Sequence, residues 1–234
     1  MSYQNMMISD LMKKFDQGLL ILPAIQRGYV WGEQRIYDLF DSLMKGYPIG
    51  SFLFWDIDKK EFDQFKFHSF LKNVDTTLTL TDSEEVSEYK NDMIGVLDGQ
   101  QRLTSLIIGL KGSYTLKVKK QDKVDGKNPE KFLCLNLLSK VSKNSEDRYE
   151  FKFLTKQEMA LNQSELYEKC YWFCVSELFN MPLNSAKDYC EEHIMNSFED
   201  AKNVAWDAMT TLQQLERVIN YDPVILVIWP NKRR

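Results

Sequence analysis

Two short stretches carry residue types that can do chemistry. Asp98-Gly99-Gln100-Gln101-Arg102 joins an apolar run, Met93 to Leu97, to a segment with Leu103, Leu106, Ile107 and Leu110 at i, i+3, i+4 and i+7. This spacing predicts a strand, a turn at Asp98-Gly99 and a helix. The first backbone N–H groups of a helix lack intrahelical partners and carry partial positive charge, so such a turn can receive an anion. Arg102 could add a planar, permanently charged fork suited to phosphate. Gln100 and Gln101 could give amide hydrogen bonds to a base, a sugar or a water. A structural alternative stands beside this: Asp98 with Gln101 three residues on also fits a capping box, which needs no ligand. The Asp98 carboxylate would repel a bare phosphate. It is tolerable if it caps the helix, or if it holds a Mg²⁺ that bridges to phosphate.

The second stretch is Pro23-Ala24-Ile25-Gln26-Arg27-Gly28-Tyr29-Val30-Trp31. Gln26 and Arg27 are polar donors, and Tyr29 and Trp31 are flat faces with polar handles. Gly28 lets backbone pass close to another group. The alternative is an ordinary loop whose aromatics pack on the core. A third feature is basic: Lys111 to Gln157 holds 12 Lys/Arg against 6 Asp/Glu. Lys117, Lys119, Lys120, Lys123 and Lys127 crowd one hairpin, which suits a nucleic acid backbone or simply a solvated edge protected from pairing.

Other chemistries fit poorly. Cys170, Cys174, Cys190 and His193 are zinc-ligand types. However, the first two fall on the apolar stripe of an expected helix, where free cysteine is common, so no zinc is expected. No Walker-type phosphate loop and no Gly-x-Ser-x-Gly elbow is present, and His68 and His193 are the only histidines. Hydrolysis here would rest on carboxylates, Gln-positioned water, Arg and Mg²⁺.

The elements that must position these residues follow from periodicity. Ile8 to Phe15 reads as a helix stopped at Gly18, and Leu19 to Leu22 as a strand. Glu33 to Lys45 reads as a helix with Ile36, Leu39, Phe40 and Leu43 buried and Gly46 closing it. Pro48 to Trp55 reads as a central strand, and the Phe62 to Phe70 region as an irregular packed element holding His68. Residues 76–92 read as a polar surface excursion. Tyr114–Lys119, Lys131–Leu137 and Tyr149–Leu154 read as strands. Helices are expected over Ser164–Phe179, Ser185–Met195 and Phe198–Ile219, and Val224–Trp229 as a last apolar strand. This divides the chain into an α/β core with a basic hairpin, 1–157, and a helical extension, 158–234, ending in a strand that suggests an excerpt of a longer protein.

The chain has 234 residues, 44% hydrophobic and 27% charged, with net charge −4. That supports a substantial core and excludes a chain that is basic overall. No run of about 18 apolar residues is present, so no membrane span is expected. The start lacks a basic region followed by an apolar stretch, and four cysteines do not make a disulfide framework. A reduced, cytoplasmic protein is the expectation.

Leu22 to Trp31, Gly46-Tyr47-Pro48-Ile49-Gly50-Ser51 and Leu97 to Leu106 together resemble the N-terminal domain of GmrSD-type modification-dependent restriction endonucleases. The resemblance covers roughly Ile8 to Lys111 in motifs and the remainder in pattern only. It implies an α/β (α+β) fold, a ParB/sulfiredoxin-like mixed-sheet core with a helical extension. It implies a nucleoside triphosphate partner, with hydrolysis as a candidate activity, in a phage-defence system acting on modified DNA. Carried over, Asp98, Gln101 and Arg102 would be catalytic, with Asp98 the candidate Mg²⁺ ligand. Gln26, Arg27, Tyr29, Trp31, Gly99, Gln100 and Thr104 would bind the nucleotide. DNA cutting would need a C-terminal or partner nuclease domain that this sequence does not contain. Two other readings stay open: a non-catalytic DNA-binding or modification-sensing module, and metal-dependent DNA nicking through Asp98.

Overall fold

Short apolar runs bounded by glycine, proline or acidic residues become strands, and stripes of period 3.6 become helices. The computed structural model of the chain describes residues 2–75, 83–115, 123, 127–139, 148–165, 170–194, 201–223 and 225–229. Its main sheet has six strands: β1 (Ser2–Met6), β2 (Leu20–Pro23), β3 (Ser51–Asp56), β4 (Phe67–Ser69), β6 (Ile94–Asp98) and β11 (Ile225–Trp229). Their order is β1-β11-β3-β6-β2-β4. β11 with β3 and β6 with β2 are parallel pairs; the other pairs are antiparallel. A second sheet joins β5 (Asn73–Asp75), β7 (Ser113–Thr115), β8 (Glu130–Asn136), β9 (Phe151–Leu154) and β10 (Trp172–Cys174). The fold is therefore α+β with mixed sheets, as expected.

The helices are α1 (Ile8–Asp16), α2 (Glu33–Met44), α3 (Lys59–Gln64), α4 (Gln100–Lys111), α5 (Lys156–Glu165), α6 (Ala186–His193) and α7 (Ala201–Asn220). On α2 the expected stripe of Ile36, Leu39, Phe40 and Leu43 is buried. α4 is different: every residue from Leu103 to Leu110 is buried, so this helix is enclosed on all sides. It packs on α2, β7, β8 and a 3₁₀ turn, Val175–Asn180. The turn at its N-terminus is thereby held rigidly.

Residues 158–234, expected as a helical extension ending in an apolar strand, pack into the main fold. β11 lies between β1 and β3, α7 packs on α1 and α2, and a single core cluster runs from Met6 to Val227. Ser164–Phe179 is not one helix: α5 ends at Glu165, and Trp172–Cys174 is a strand followed by the 3₁₀ turn. The aromatic and β-branched residues there satisfy a sheet better than a helix. The irregular region at Phe62–Phe70 contains α3 and β4. Among the described residues, no helix is long and apolar enough to cross a membrane.

The close approach of α4 to its neighbours depends on Gly109. A β-carbon there would lie 2.6 Å from the Phe40 ring and 2.8 Å from Leu133 Cδ2. Alanine ordinarily favours a helix interior by about 1 kcal/mol over glycine. Gly109→Ala is nonetheless expected to destabilise the fold by about 1–3 kcal/mol through overpacking. Urea denaturation measures this, and a gain in stability would show that the contact is loose.

Candidate functional site

The strand-to-helix turn is built on Gly99. Its φ of 89° is left-handed, and a side chain there would collide with the buried Phe52 ring. Gly99, not Asp98, is the N-cap of α4, and no side chain caps the helix. The capping-box reading of Asp98 and Gln101 is therefore overturned. Asp98 ends β6, and its side chain is 71% exposed, 3.4 Å from Arg102 Nη2.

The glutamines bind backbone. Gln101 Nε2 donates to the Gly28 carbonyl at 3.0 Å, and its Oε1 accepts from Val30 N–H at 2.9 Å. Gln100 Nε2 donates to the Arg27 carbonyl at 2.9 Å. In return Gln26 Nε2 donates to the Leu97 carbonyl at 3.0 Å. Loop 24–31 is thus strapped along the start of α4. Tyr29 tightens the strap from below: it is buried, and its hydroxyl lies 2.9 Å from Ser105 Oγ. Burial pushes that hydroxyl well above the ordinary tyrosine range.

Arg102 performs the same task on the other side. Nη1 donates to the Ile49 carbonyl at 2.7 Å, and Nη2 to the Ser51 carbonyl at 2.8 Å. The guanidinium also sits 4.8 Å from the centre of the Phe52 ring. Gly50, at φ 86°, makes room for it. The fork expected to grip phosphate grips a loop.

What remains is a cleft of about 230 Å³ lined by Gln26, Arg27, Trp31 and the residues of the turn from Leu97 to Arg102. The two glutamine–arginine corners therefore meet, as the sequence suggested. Arg27 is exposed, and among the described residues its guanidinium has no hydrogen-bond or ion-pair partner. Trp31 lines the cleft while Arg35 lies 5.8 Å from its ring centre. Tyr29 and Thr104, expected at the ligand, are buried beneath it. Sequence reasoning missed the Ile49–Ser51 turn as the target of Arg102, and Ser105 as the anchor of Tyr29. The only signal was a small polar residue on a buried helix face.

Elsewhere, Lys123 and Lys127 are exposed, while Lys117, Lys119 and Lys120 lie outside the described residues. Among the described residues no group of three or more His, Cys, Asp or Glu is placed to hold a metal. Cys174 instead faces Cys134 across the β10–β8 pair. Their hydrogen bond draws the Cys174 thiol down to about 7 and pushes Cys134 up.

The strap can be tested without a ligand. Gln101→Leu removes both bonds to loop 24–31 and leaves the Gly28 carbonyl unpaired. Stability is expected to fall by about 1–3 kcal/mol. Hydrogen exchange at Val30 should accelerate while β8 stays protected; unchanged exchange at Val30 would contradict the strap.

The chain is similar to known proteins. A 113-residue stretch is 34% identical to an uncharacterized protein of Methanocaldococcus jannaschii. It covers 47% of this chain but 18% of that relative, so the chain spans a small part of the longer protein. The family model described as GmrSD restriction endonuclease, N-terminal domain, matches residues 8–221, which include both sides of the cleft and the helices behind it. The chain belongs to the GmrSD restriction endonuclease N-terminal domain family.

Proposed function

We propose that the cleft at the β6–α4 turn receives the phosphates of a nucleoside triphosphate, in a component of a phage-defence system directed at modified DNA. One observation carries this reading. An exposed guanidinium, Arg27, stands beside a helix start whose first N–H groups no side chain caps. A helix start of this kind favours an anion electrostatically, and arginine matches phosphate geometry.

Asp98 opposes a bare anion but suits a Mg²⁺ that arrives with the phosphates, since Mg²⁺ commonly takes one or two carboxylates plus phosphate oxygens. Such an ion would screen the phosphate charge from Asp98. Gln101 and Arg102 act in this reading as positioning residues, because their polar groups already bind the loops. Binding is therefore better supported than turnover. The cleft offers one carboxylate and no histidine, so DNA cutting is assigned to a nuclease domain or partner.

Arg27→Ala is the direct test, because among the described residues this side chain has no hydrogen-bond or ion-pair partner. The variant should melt like the wild type and bind Mg²⁺-ATP or Mg²⁺-GTP at least about tenfold more weakly by calorimetry, the loss of a charge-assisted hydrogen bond. Equal affinity in the two proteins, or no affinity in either, would refute the reading. Arg102→Ala is a poorer test, since releasing Ile49 and Ser51 disturbs the fold itself.

A further inference from the structure

The phosphate cleft is small. Ligand pockets generally run from about 300 to 1,000 Å³, and the cleft of about 230 Å³ falls below that range. It suits a chain of phosphates better than a whole nucleotide.

A second cleft, of about 320 Å³, also borders loop 24–31. The two share Gln26, Arg27 and Gln100 as a common wall. Taken together they reach the size of a nucleotide pocket. Their chemistry differs. The first is edged by Asp98, uncapped backbone N–H groups and a cationic side chain. The second has a floor of Leu22, Pro23 and Ala24 from the end of β2, with His68 of β4 beside it.

The histidine ring is anchored by one hydrogen bond. Its Nδ1 lies 3.1 Å from the Ser83 carbonyl oxygen. A carbonyl can only accept, so Nδ1 is the donor in this bond, which fixes the orientation of the ring. Apolar side chains beside an oriented imidazole ring suit a flat heterocycle with a polar edge.

We propose that the second cleft takes the nucleoside end of the ligand, with the base over Pro23–Ala24 and beside His68. The chain of phosphates then crosses Arg27 into the first cleft. This rests on the nucleotide reading above and adds a specificity subsite to it. The competing seat for the base is the Trp31 ring, in the first cleft.

The experiment separates the two clefts by comparing a whole nucleotide with its phosphates alone. Mg²⁺-ATP, Mg²⁺-GTP and Mg²⁺-tripolyphosphate are titrated into the wild type, Ala24→Trp, His68→Phe and Trp31→Ala. Ala24 is exposed, so tryptophan there fills the second cleft without entering the core. The proposal expects Ala24→Trp to weaken the nucleotide that the wild type binds by about tenfold or more, with tripolyphosphate unchanged. His68→Phe should lose a smaller factor, about three- to tenfold, again for the nucleotide only. If neither Ala24→Trp nor His68→Phe separates nucleotide from tripolyphosphate, or only Trp31→Ala does, the subsite assignment is overturned and the phosphate cleft stands. If the wild type binds none of the three ligands, the nucleotide reading itself falls.

Discussion

Loops that wall a cleft present backbone carbonyls and N–H groups that no sheet or helix pairs, and leaving such groups dry and unpaired costs about 1–3 kcal/mol each. Around the start of α4 these groups find side-chain partners from the helix itself. Gln100 and Gln101 bind loop 24–31, and Arg102 binds the Ile49–Ser51 turn. Three consecutive residues thereby tie two separated segments to one enclosed helix. The rest of the site depends on that arrangement.

A division of labour follows. The side chains of the Gln-Gln-Arg run are engaged in architecture, so recognition falls to the groups they leave uncovered. In the proposed reading these are the first N–H groups of α4, which no side chain caps, and the Arg27 guanidinium carried on the strapped loop. Gly99 matters twice. It turns the strand into the helix, and it offers no side chain that would cap the helix in place of a ligand. Asp98 lines the same cleft with its carboxylate exposed, which in the proposed reading would favour an anion accompanied by a cation.

Much of this was legible in the sequence because periodicity is local. The α2 stripe, the β6 run and the α4 face are all read from spacing alone. The meeting of the Gln26-Arg27 and Gln100-Gln101-Arg102 corners was also anticipated. The partners of each side chain were not. Asp-x-x-Gln at Asp98 and Asp-x-x-Glu at Asp58 look alike in sequence, yet only Asp58 and Glu61 form the reciprocal capping box. The difference is tertiary: loop 24–31 lies within reach of Gln101 and takes its amide. The return of β11 to the main sheet was equally hidden, because a continuous apolar strand does not announce its neighbours. Cys170 and Cys174 misled for a related reason, since their four-residue spacing has meaning only on a helix, and Cys174 lies in a strand.

In the proposed reading, backbone and Arg27 bind the ligand while the Gln-Gln-Arg side chains hold the walls. Nitrogen-detected or ¹⁵N-edited NMR during titration with Mg²⁺-nucleotide examines both halves at once. The account predicts large shifts for the backbone N–H groups of Gln100, Gln101 and Arg102 and for Arg27 Nε–H, with the side-chain amides of Gln100 and Gln101 nearly still. Large movement of those side-chain amides, with Arg27 and the helix start unaffected, would contradict it.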